Sequence, residues 1–302
     1  MSVAPVELRG LRKTYGELVA VDDVSLTVRP GDVFGYLGPN GAGKTTSLRM
    51  MLGLITPTAG EVRLFGDDPI ADPVSALADV AGFVEEPAFY PYLSGRRNLE
   101  MLAALDGTDG GRIDEVLELV ELAGRAGDRV RGYSHGMRQR LGLAAALMRS
   151  PRLLLLDEPT TALDPAGMRD MRELVRRLAG EGITIMLSTH LMSEVEQLCN
   201  RLAIIQLGRI RYEGELADLL ARSRGRYRLD ATDPARAADV CRETPGIRDV
   251  EARDGTVWFA AEADAAATVS LRLAESGIGV RTLVPGGQSL EERFFEITED
   301  GA

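Results

Sequence analysis

The stretch VFGYLGPNGAGKTTSLRMML, residues 33–52, decides the fold. It begins with a short apolar run, passes through a glycine-rich loop and continues as a helical pattern. The loop matches G-x-x-x-x-G-K-[ST], a pattern whose glycines let the backbone wrap closely around phosphate groups. The N–H groups of such a loop and of the helix start then bind the phosphate oxygens. The stretch therefore predicts a strand, a phosphate-binding loop and a helix.

Two side chains of this loop have predicted roles of their own. Lys44 is expected to reach the β and γ oxygens of a nucleotide, and Thr45 to hold Mg²⁺ through its hydroxyl. The glycines that shape the loop are Gly38, Gly41 and Gly43. These residues make a nucleoside triphosphate with Mg²⁺ the expected ligand.

The surrounding patterns predict an α/β fold. Apolar runs at residues 153–157, 183–187 and 202–206, with helical patterns between them, are typical of buried strands in a parallel sheet. Residues 1–30 alternate in short runs, as antiparallel strands do. Between about residues 86 and 150 helical patterns replace the strands. We therefore expect a mixed-sheet core with an antiparallel β subdomain and an inserted α-helical subdomain.

A second domain is expected after residue 222. The pattern there is strand, helix, two strands, helix and strand, the order of a small α+β ferredoxin-like domain. The predicted domains are therefore 1–222 and 223–302.

Composition limits the classes of function. With 302 residues, 45% of them hydrophobic, the chain is long enough to bury a substantial core. The sequence predicts neither a signal peptide nor a membrane span. The two cysteines form neither a disulfide framework nor a metal-binding spacing. A net charge of −11 argues against nucleic acid as a main partner.

Polar residues that follow two of the apolar runs are candidates for catalysis. Asp157 and Glu158 end the run LLLLDE, where Asp157 would support Mg²⁺ and Glu158 would polarise an attacking water. His190 follows the run ITIML and could orient that water or Glu158. Since no asparagine is followed by lysine, the guanine-binding pattern N-K-x-D is absent and ATP is favoured. Tyr15 offers an aromatic face for adenine.

The stretch YSHGMRQR, residues 133–140, opens a helix with a serine and a glycine. The first N–H groups of a helix lack partners within the helix and carry its positive dipole end, so they bind anions. Ser134 and Gly136 are thus candidate ligands for an anion that these residues alone do not identify.

Taken in order, the phosphate loop, the helical insertion, YSHGM, LLLLDEP, TALD and STH resemble the ATP-binding subunits of ABC transporters over residues 1 to about 220. The resemblance implies ATP hydrolysis with Glu158 as the base and His190 as the switch histidine. It assigns Tyr15 to adenine stacking and residues 162–164 to the D-loop. It further implies nucleotide contacts from Asn40, Thr46 and Asp164, beside the loop residues named above.

The resemblance also supplies the missing anion. In this family two subunits close head to tail, so Ser134 and Gly136 would meet the γ-phosphate held by the loop of a partner subunit. ATP would then hold the dimer together, and hydrolysis would release it. The expected partner is a second ATP-binding subunit, and a homodimer is favoured.

Two features depart from the family pattern. Glu85 stands where the family carries a glutamine, and as a carboxylate it is expected still to bind Mg²⁺. His135 and Met137 differ from the LSGGQ consensus. The FVEEP loop, the YSHGM form and the ending SLEERFFEIT resemble the branch that serves ABC-2-type exporters, including antibiotic- and daunorubicin-resistance-type subunits. In that branch the carboxyl-terminal domain would regulate or stabilise the dimer.

A transporter would need a separate membrane permease, which the resemblance places at the segment from Glu85 to Gly95. The expected location is cytoplasmic, peripheral on the inner face of the cell membrane. The alternative is a soluble ABC ATPase that acts as a switch on nucleic acid or ribosomes, which the acidic charge disfavours. A nucleotide-binding module without turnover is a third hypothesis, opposed by the joint presence of Lys44, Glu158 and His190.

Overall fold

The chain divides into two units, Met1–Leu216 and Ala217–Ala302. The computed structural model describes residues 3–107, 110–221, 226–253, 255–285 and 290–299. The domain boundary predicted between residues 222 and 223 lies outside these described residues. A short helix, Leu216–Ala221, spans the division between the units.

The first unit contains strands and helices in mixed order. Its strands are β1 (Val6–Tyr15), β2 (Leu18–Val28), β3 (Val33–Leu37), β4 (Ala59–Leu64), β5 (Val80–Phe83), β6 (Leu153–Asp157), β7 (Thr184–Thr189), β8 (Arg201–Gln206) and β9 (Arg209–Glu215). Its helices are α1 (Lys44–Met51), α2 (Pro73–Ala76), α3 (Gly95–Leu105), α4 (Ile113–Leu119), α5 (His135–Leu147), α6 (Pro165–Gly180) and α7 (Met192–Leu198), and the helix at the division is α8. Single 3-10 turns lie at Ala123–Arg125 and Val130–Gly132.

The central sheet positions the site. Its strand order is β5-β6-β7-β3-β8-β9, with parallel pairing except between β8 and β9. Every residue of β3, β6 and β7 is buried, as expected for strands covered on both faces. Leu37 lies opposite Thr189 and Asp157 lies opposite Ser188. The carboxyl ends of these three strands therefore meet at one edge of the sheet.

The second sheet is antiparallel, in the order β2-β1-β4. Tyr15 ends β1 opposite Leu18 of β2, with Gly16 in the turn between them at a φ of 58°. This hairpin presents Tyr15 next to the phosphate-binding loop. The predicted antiparallel subdomain is thereby confirmed.

Helices α3, α4 and α5 form the inserted helical part, with no strand among the described residues from 84 to 152. Ser94 caps α3, because its Oγ accepts from the N–H of Arg97. No helix in the described part of the chain is long and apolar enough to cross a membrane.

The second unit contains β10 (Arg226–Ala231), α9 (Pro234–Arg242), β11 (Arg248–Arg253), β12 (Thr256–Ala260), α10 (Ala263–Glu275), β13 (Val280–Pro285) and α11 (Leu290–Glu299). The strands pair antiparallel in the order β11-β12-β10-β13. Their inner side chains form one core with α9 and α10, including Leu229, Phe259 and Val269. This is a ferredoxin-like topology, so the predicted fold class is confirmed in both units.

A buried ion pair joins β8 to the turn before β3. Arg201 Nη1 lies 2.9 Å from Asp32 Oδ2, and both side chains are about 6% exposed. Asp32 also accepts from the N–H of Arg29 and from the side chain of Asn200. Because a buried charge is tolerated only when it is paired and hydrogen-bonded, this network fixes the amino-terminal end of the central strands.

Glycine is required at Gly43, which precedes α1 with a φ of 104°. A Cβ atom there would lie 2.4 Å from the carbonyl oxygen of Ala20 in β2. Gly41 in the same loop has a φ of 79°, but a Cβ there would meet nothing within 4 Å. A side chain at either position would therefore have a strained backbone, but only at Gly43 would it also clash with Ala20.

We predict that Gly43→Ala lowers the free energy of unfolding more than Gly41→Ala does. Both variants incur the cost of a left-handed backbone, and only the first forces β2 away from the loop. The expected extra loss is about 1–3 kcal/mol. Urea denaturation of the nucleotide-free chain, followed by circular dichroism, measures the difference. Equal losses would show that the contact with Ala20 does not restrict position 43.

Candidate nucleotide-binding site

The phosphate-binding loop lies between β3 and α1, as predicted. Lys44 is 5% exposed, and its Nζ donates to the carbonyl oxygens of Gly38 at 2.7 Å and Pro39 at 3.1 Å. The same Nζ lies 3.2 Å from Glu158 Oε1. The ammonium group is thus held inside the loop, where it would face the phosphates of a nucleotide.

Asp157 lies across from the loop at the end of β6. Its Oδ2 accepts from the hydroxyl of Thr45 at 2.8 Å, and its Oδ1 accepts from the buried hydroxyl of Ser188. The structure therefore brings together two of the predicted Mg²⁺ ligands. A hydroxyl and a carboxylate are hard oxygen donors of the kind that Mg²⁺ prefers, so this pair fits the ion.

Glu158 has three side-chain partners. Its Oε2 accepts from the Thr161 hydroxyl at 2.8 Å and lies 2.9 Å from His190 Nδ1, while its Oε1 faces Lys44. Partial burial raises the pKa of this carboxyl, but the Thr161 hydrogen bond and the Lys44 charge outweigh it, so the pKa lies below its ordinary value. Glu158 is therefore ionised at neutral pH. Its backbone has a φ of 46°, in the left-handed region, and its N–H donates to Ser188.

A cavity of about 320 Å³ opens beside the loop. Its lining includes Glu158, Tyr15, and Leu18 and Ala20 of β2. From the loop, the lining residues are Asn40, Gly41, Gly43, Lys44, Thr45 and Thr46. Tyr15 is 47% exposed, and the Nζ of Lys13 lies 5.2 Å from its ring centre. The cavity thus joins an aromatic face to a phosphate-binding loop.

Ser134, Gly136 and Asp164 line a different cavity, of about 500 Å³. Ser134 caps α5 through its Oγ, which accepts from Met137 N–H at 3.2 Å. Asp164 caps α6, because its Oδ1 accepts from Gly167 N–H at 2.8 Å. These predicted nucleotide ligands lie together, and none of them lines the cavity that contains Lys44 of the same chain.

Glu85 has a partner other than the predicted Mg²⁺ site. Its carboxylate pairs with the guanidinium of Arg49 on α1, and its backbone adopts a φ of 66°. Among the described residues, no hydrogen bond or ion pair joins Glu85 to Thr45 or Asp157. The Glu85 side chain is 65% exposed in this position.

Sequence reasoning missed two polar residues of the site. Ser188 holds both Asp157 and the backbone of Glu158, and Thr161 holds the Glu158 carboxylate. The one signal for Ser188 was a hydroxyl within the otherwise apolar run TIMLST. Thr161 carried no distinct signal, because threonine is common in loops.

Comparisons with known proteins identify the family. The family model described as ABC transporter matches residues 21–161. Bacitracin transport ATP-binding protein BcrA of Bacillus licheniformis is 38% identical, and the match covers 98% of each chain. Daunorubicin resistance ATP-binding protein DrrA3 of Streptomyces coeruleorubidus is 35% identical, over 99% of this chain and 98% of its own. These relatives confirm the resemblance to antibiotic- and daunorubicin-resistance-type subunits.

A solved structure is also similar to this chain. The structure described as an ATP-binding subunit of an ABC transporter is 27% identical, with a TM-score of 0.64, and covers 72% of this chain and 92% of its own. Together with the relatives, it confirms ATP as the nucleotide and ATP hydrolysis as the activity. This chain belongs to the family of ABC transporter ATP-binding proteins.

Proposed function

We propose that the chain hydrolyses ATP with Glu158 as general base and His190 as the residue that orients it. The observation that carries this proposal is the position of the Glu158 carboxylate between two partners at the edge of the sheet. Its Oε2 lies 2.9 Å from His190 Nδ1, and its Oε1 lies 3.2 Å from Lys44 Nζ. The ionised Glu158 carboxylate would accept a proton from a water aligned with the γ-phosphate. The imidazole of His190 would keep that carboxylate in place. Lys44 would leave its carbonyl partners to bind the β and γ oxygens.

Thr45 and Asp157 are the residues that would hold Mg²⁺ in this site. When bound, the ion would neutralise charge that develops on the phosphate oxygens. Asp157 is kept in position by Ser188, so its Oδ2 stays directed toward Thr45. A role for Glu85 as a further ligand remains a prediction, and it would require the carboxylate to leave Arg49.

We also propose that the nucleotide is sandwiched between two copies of the chain. The support is that Ser134, Gly136 and Asp164 line a cavity separate from the one that Lys44 lines. A helix amino terminus carries a positive dipole end and free N–H groups, so α5 suits the γ-phosphate of a nucleotide bound by the partner. Tyr15 would stack on the adenine from the same chain as Lys44.

The ATPase would power export by a separate ABC-2-type permease. The names of the relatives, bacitracin transport and daunorubicin resistance, support a drug or antibiotic as cargo and favour a transporter over a soluble switch. An apolar cavity of about 450 Å³ lies next to the segment from Glu85 to Gly95, with Phe83, Phe89 and Leu102 in its wall. Such a cavity suits a helix of a membrane partner. The second unit would regulate or stabilise the dimer, and the chain would lie on the cytoplasmic face of the membrane.

We predict that Glu158→Gln slows ATP hydrolysis by about 10²–10⁴-fold, the usual contribution of a general base. ATP binding is expected to persist or tighten, because the amide no longer competes for Lys44. Phosphate release and equilibrium binding of ATP measure the two effects. Glu118→Gln makes the same change at an exposed position of α4 and should leave both unaltered. Unchanged hydrolysis in Glu158→Gln would exclude the general-base role.

We predict that Ser134→Arg abolishes hydrolysis without abolishing ATP binding by the same chain. The arginine would block the α5 amino terminus, which serves the nucleotide of the partner. A mixture of Ser134→Arg and Lys44→Ala chains should regain hydrolysis, because one composite site then has an intact loop and an intact helix start. Full activity of Ser134→Arg alone would contradict the head-to-tail arrangement.

We predict that Leu102→Glu prevents co-purification of a polytopic membrane protein from detergent-solubilised membranes. The charge would enter the wall of the apolar cavity and hinder a docked helix. Leu105→Glu on the same helix is the control, because Leu105 is 77% exposed and does not line this cavity. Mass identification of the bound proteins gives the readout. Recovery of ribosomal proteins with no integral membrane protein would favour the soluble-switch alternative.

A further inference from the structure

Glu194 is a buried carboxylate near the start of α7 that the proposed reaction does not use. It is 1% exposed, and its Oε2 accepts a hydrogen bond of 2.9 Å from the hydroxyl of Thr189. Its Oε1 is also buried and has no hydrogen-bond partner among the described residues. A buried polar atom without a partner costs about 1–3 kcal/mol. Such a residue therefore needs a reason beyond stability.

The partner of Glu194 lies next to His190. Thr189 is 2% exposed, and its hydroxyl donates to Glu194 while it accepts from the N–H of Leu191 at 3.0 Å. The carbonyl oxygen of Thr189 accepts from the N–H of Gly38 at 3.2 Å. The residue before His190 and the residue after it are thus both held, and the same hydrogen bonds tie the turn to the phosphate-binding loop.

The hydrogen bonds of the Thr189 hydroxyl run in one direction. The backbone N–H of Leu191 can only donate, so Thr189 Oγ1 accepts there and directs its own hydrogen to Glu194 Oε2. A turn held by one hydrogen-bond pattern has one backbone conformation. In that conformation the His190 side chain is directed toward Glu158.

We propose that Glu194 is a positioning residue for His190: through the Thr189 hydroxyl, it fixes the turn that holds the imidazole on Glu158. This inference rests on the role proposed above for the pair of His190 and Glu158. It explains why a carboxylate with an unpartnered oxygen stands where an apolar side chain would fill the space. Glu194 itself contacts no reacting group.

Two kinds of measurement test the proposal on the full chain. Glu194→Leu is expected to lower kcat about tenfold or more, because small displacements of catalytic groups have effects up to about a hundredfold. The KM for ATP should change little, since the loop and Tyr15 bind the nucleotide. Glu194→Gln keeps an acceptor oxygen for Thr189 and should rescue most of kcat. Glu196→Leu, at an exposed position of the same helix, is the matched control.

Nuclear magnetic resonance gives a readout that a purely structural role would not move. The chain has two histidines, so labelled imidazoles give two signals, and His135→Asn assigns them. Glu158→Gln should shift the His190 signal in the parent chain. In the Glu194→Leu chain that shift should be lost, while Glu194→Gln should retain it.

A second pair of variants covers the case in which Glu194→Leu does not fold. Thr189→Val removes the bridging hydroxyl and should reproduce the loss of kcat and of the His190 shift, whereas Thr189→Ser should retain both. An unchanged kcat, or an unchanged response of His190 to Glu158→Gln, in the variants that lack the hydrogen bond would overturn the proposal for Glu194. If Glu158→Gln left the His190 signal unmoved in the parent chain, the proposed function of the pair would fail first, and the inference with it.

Discussion

The parallel register of β3, β6 and β7 is the constraint on which the site depends. Because Leu37 lies opposite Thr189 and Asp157 lies opposite Ser188, the three strands end at the same level. All three are buried on both faces, and their interior positions carry mostly apolar side chains. The polar residues therefore gather where the strands end, and the hydrogen bond from Gly38 N–H to the carbonyl of Thr189 ties two of those ends together. Catalytic groups that are distant in the chain become neighbours without a long loop to carry them.

Opposite charges and hydrogen bonds at this edge of the sheet hold Glu158 and Lys44 in fixed positions. Glu158 is surrounded by the Lys44 ammonium, the Thr161 hydroxyl and the His190 imidazole, which hold its carboxylate ionised in one orientation. Such fixed partners reduce the reorganisation that a reaction would otherwise require. Lys44 in turn is bound by two loop carbonyls as well as by Glu158, so the phosphates of ATP must replace partners that the loop itself supplies. The loop is thus folded in advance, and binding exchanges one set of oxygen partners for another.

Most of the fold and the principal residues of the site could be predicted from the sequence. The physical reason differs from residue to residue. Lys44 was predictable from the glycine-rich loop pattern, whereas Asp157 and His190 were predictable because they lie at the ends of apolar runs that mark buried strands. Ser188 was not predicted, because its importance comes from Asp157, 31 residues earlier, through strand pairing. The assignment of Ser134 to the nucleotide of a partner chain came from the family resemblance and not from the residues, since spacing does not say which chain a helix start faces. The side-chain direction of Glu85 depends on the nearby guanidinium of Arg49, which no local pattern reveals.

The turn after β5 shows how the two halves of the proposed composite site are connected within one chain. Glu85 pairs with Arg49 on α1, the helix that follows the phosphate-binding loop, and the adjacent Glu86 accepts from Arg138 Nε on α5 at 2.9 Å. Both ion pairs are exposed, so each contributes about 0–1 kcal/mol and would exchange readily with water. The stiff contact is between Pro87 and Gly142 of α5, where even a methyl group on the glycine would lie 2.4 Å from Pro87 Cγ. Close packing resists deformation far more than exposed charges do. A displacement of this turn by a docked permease would therefore reach α5 through the packed proline, while the ion pairs re-form around the new position.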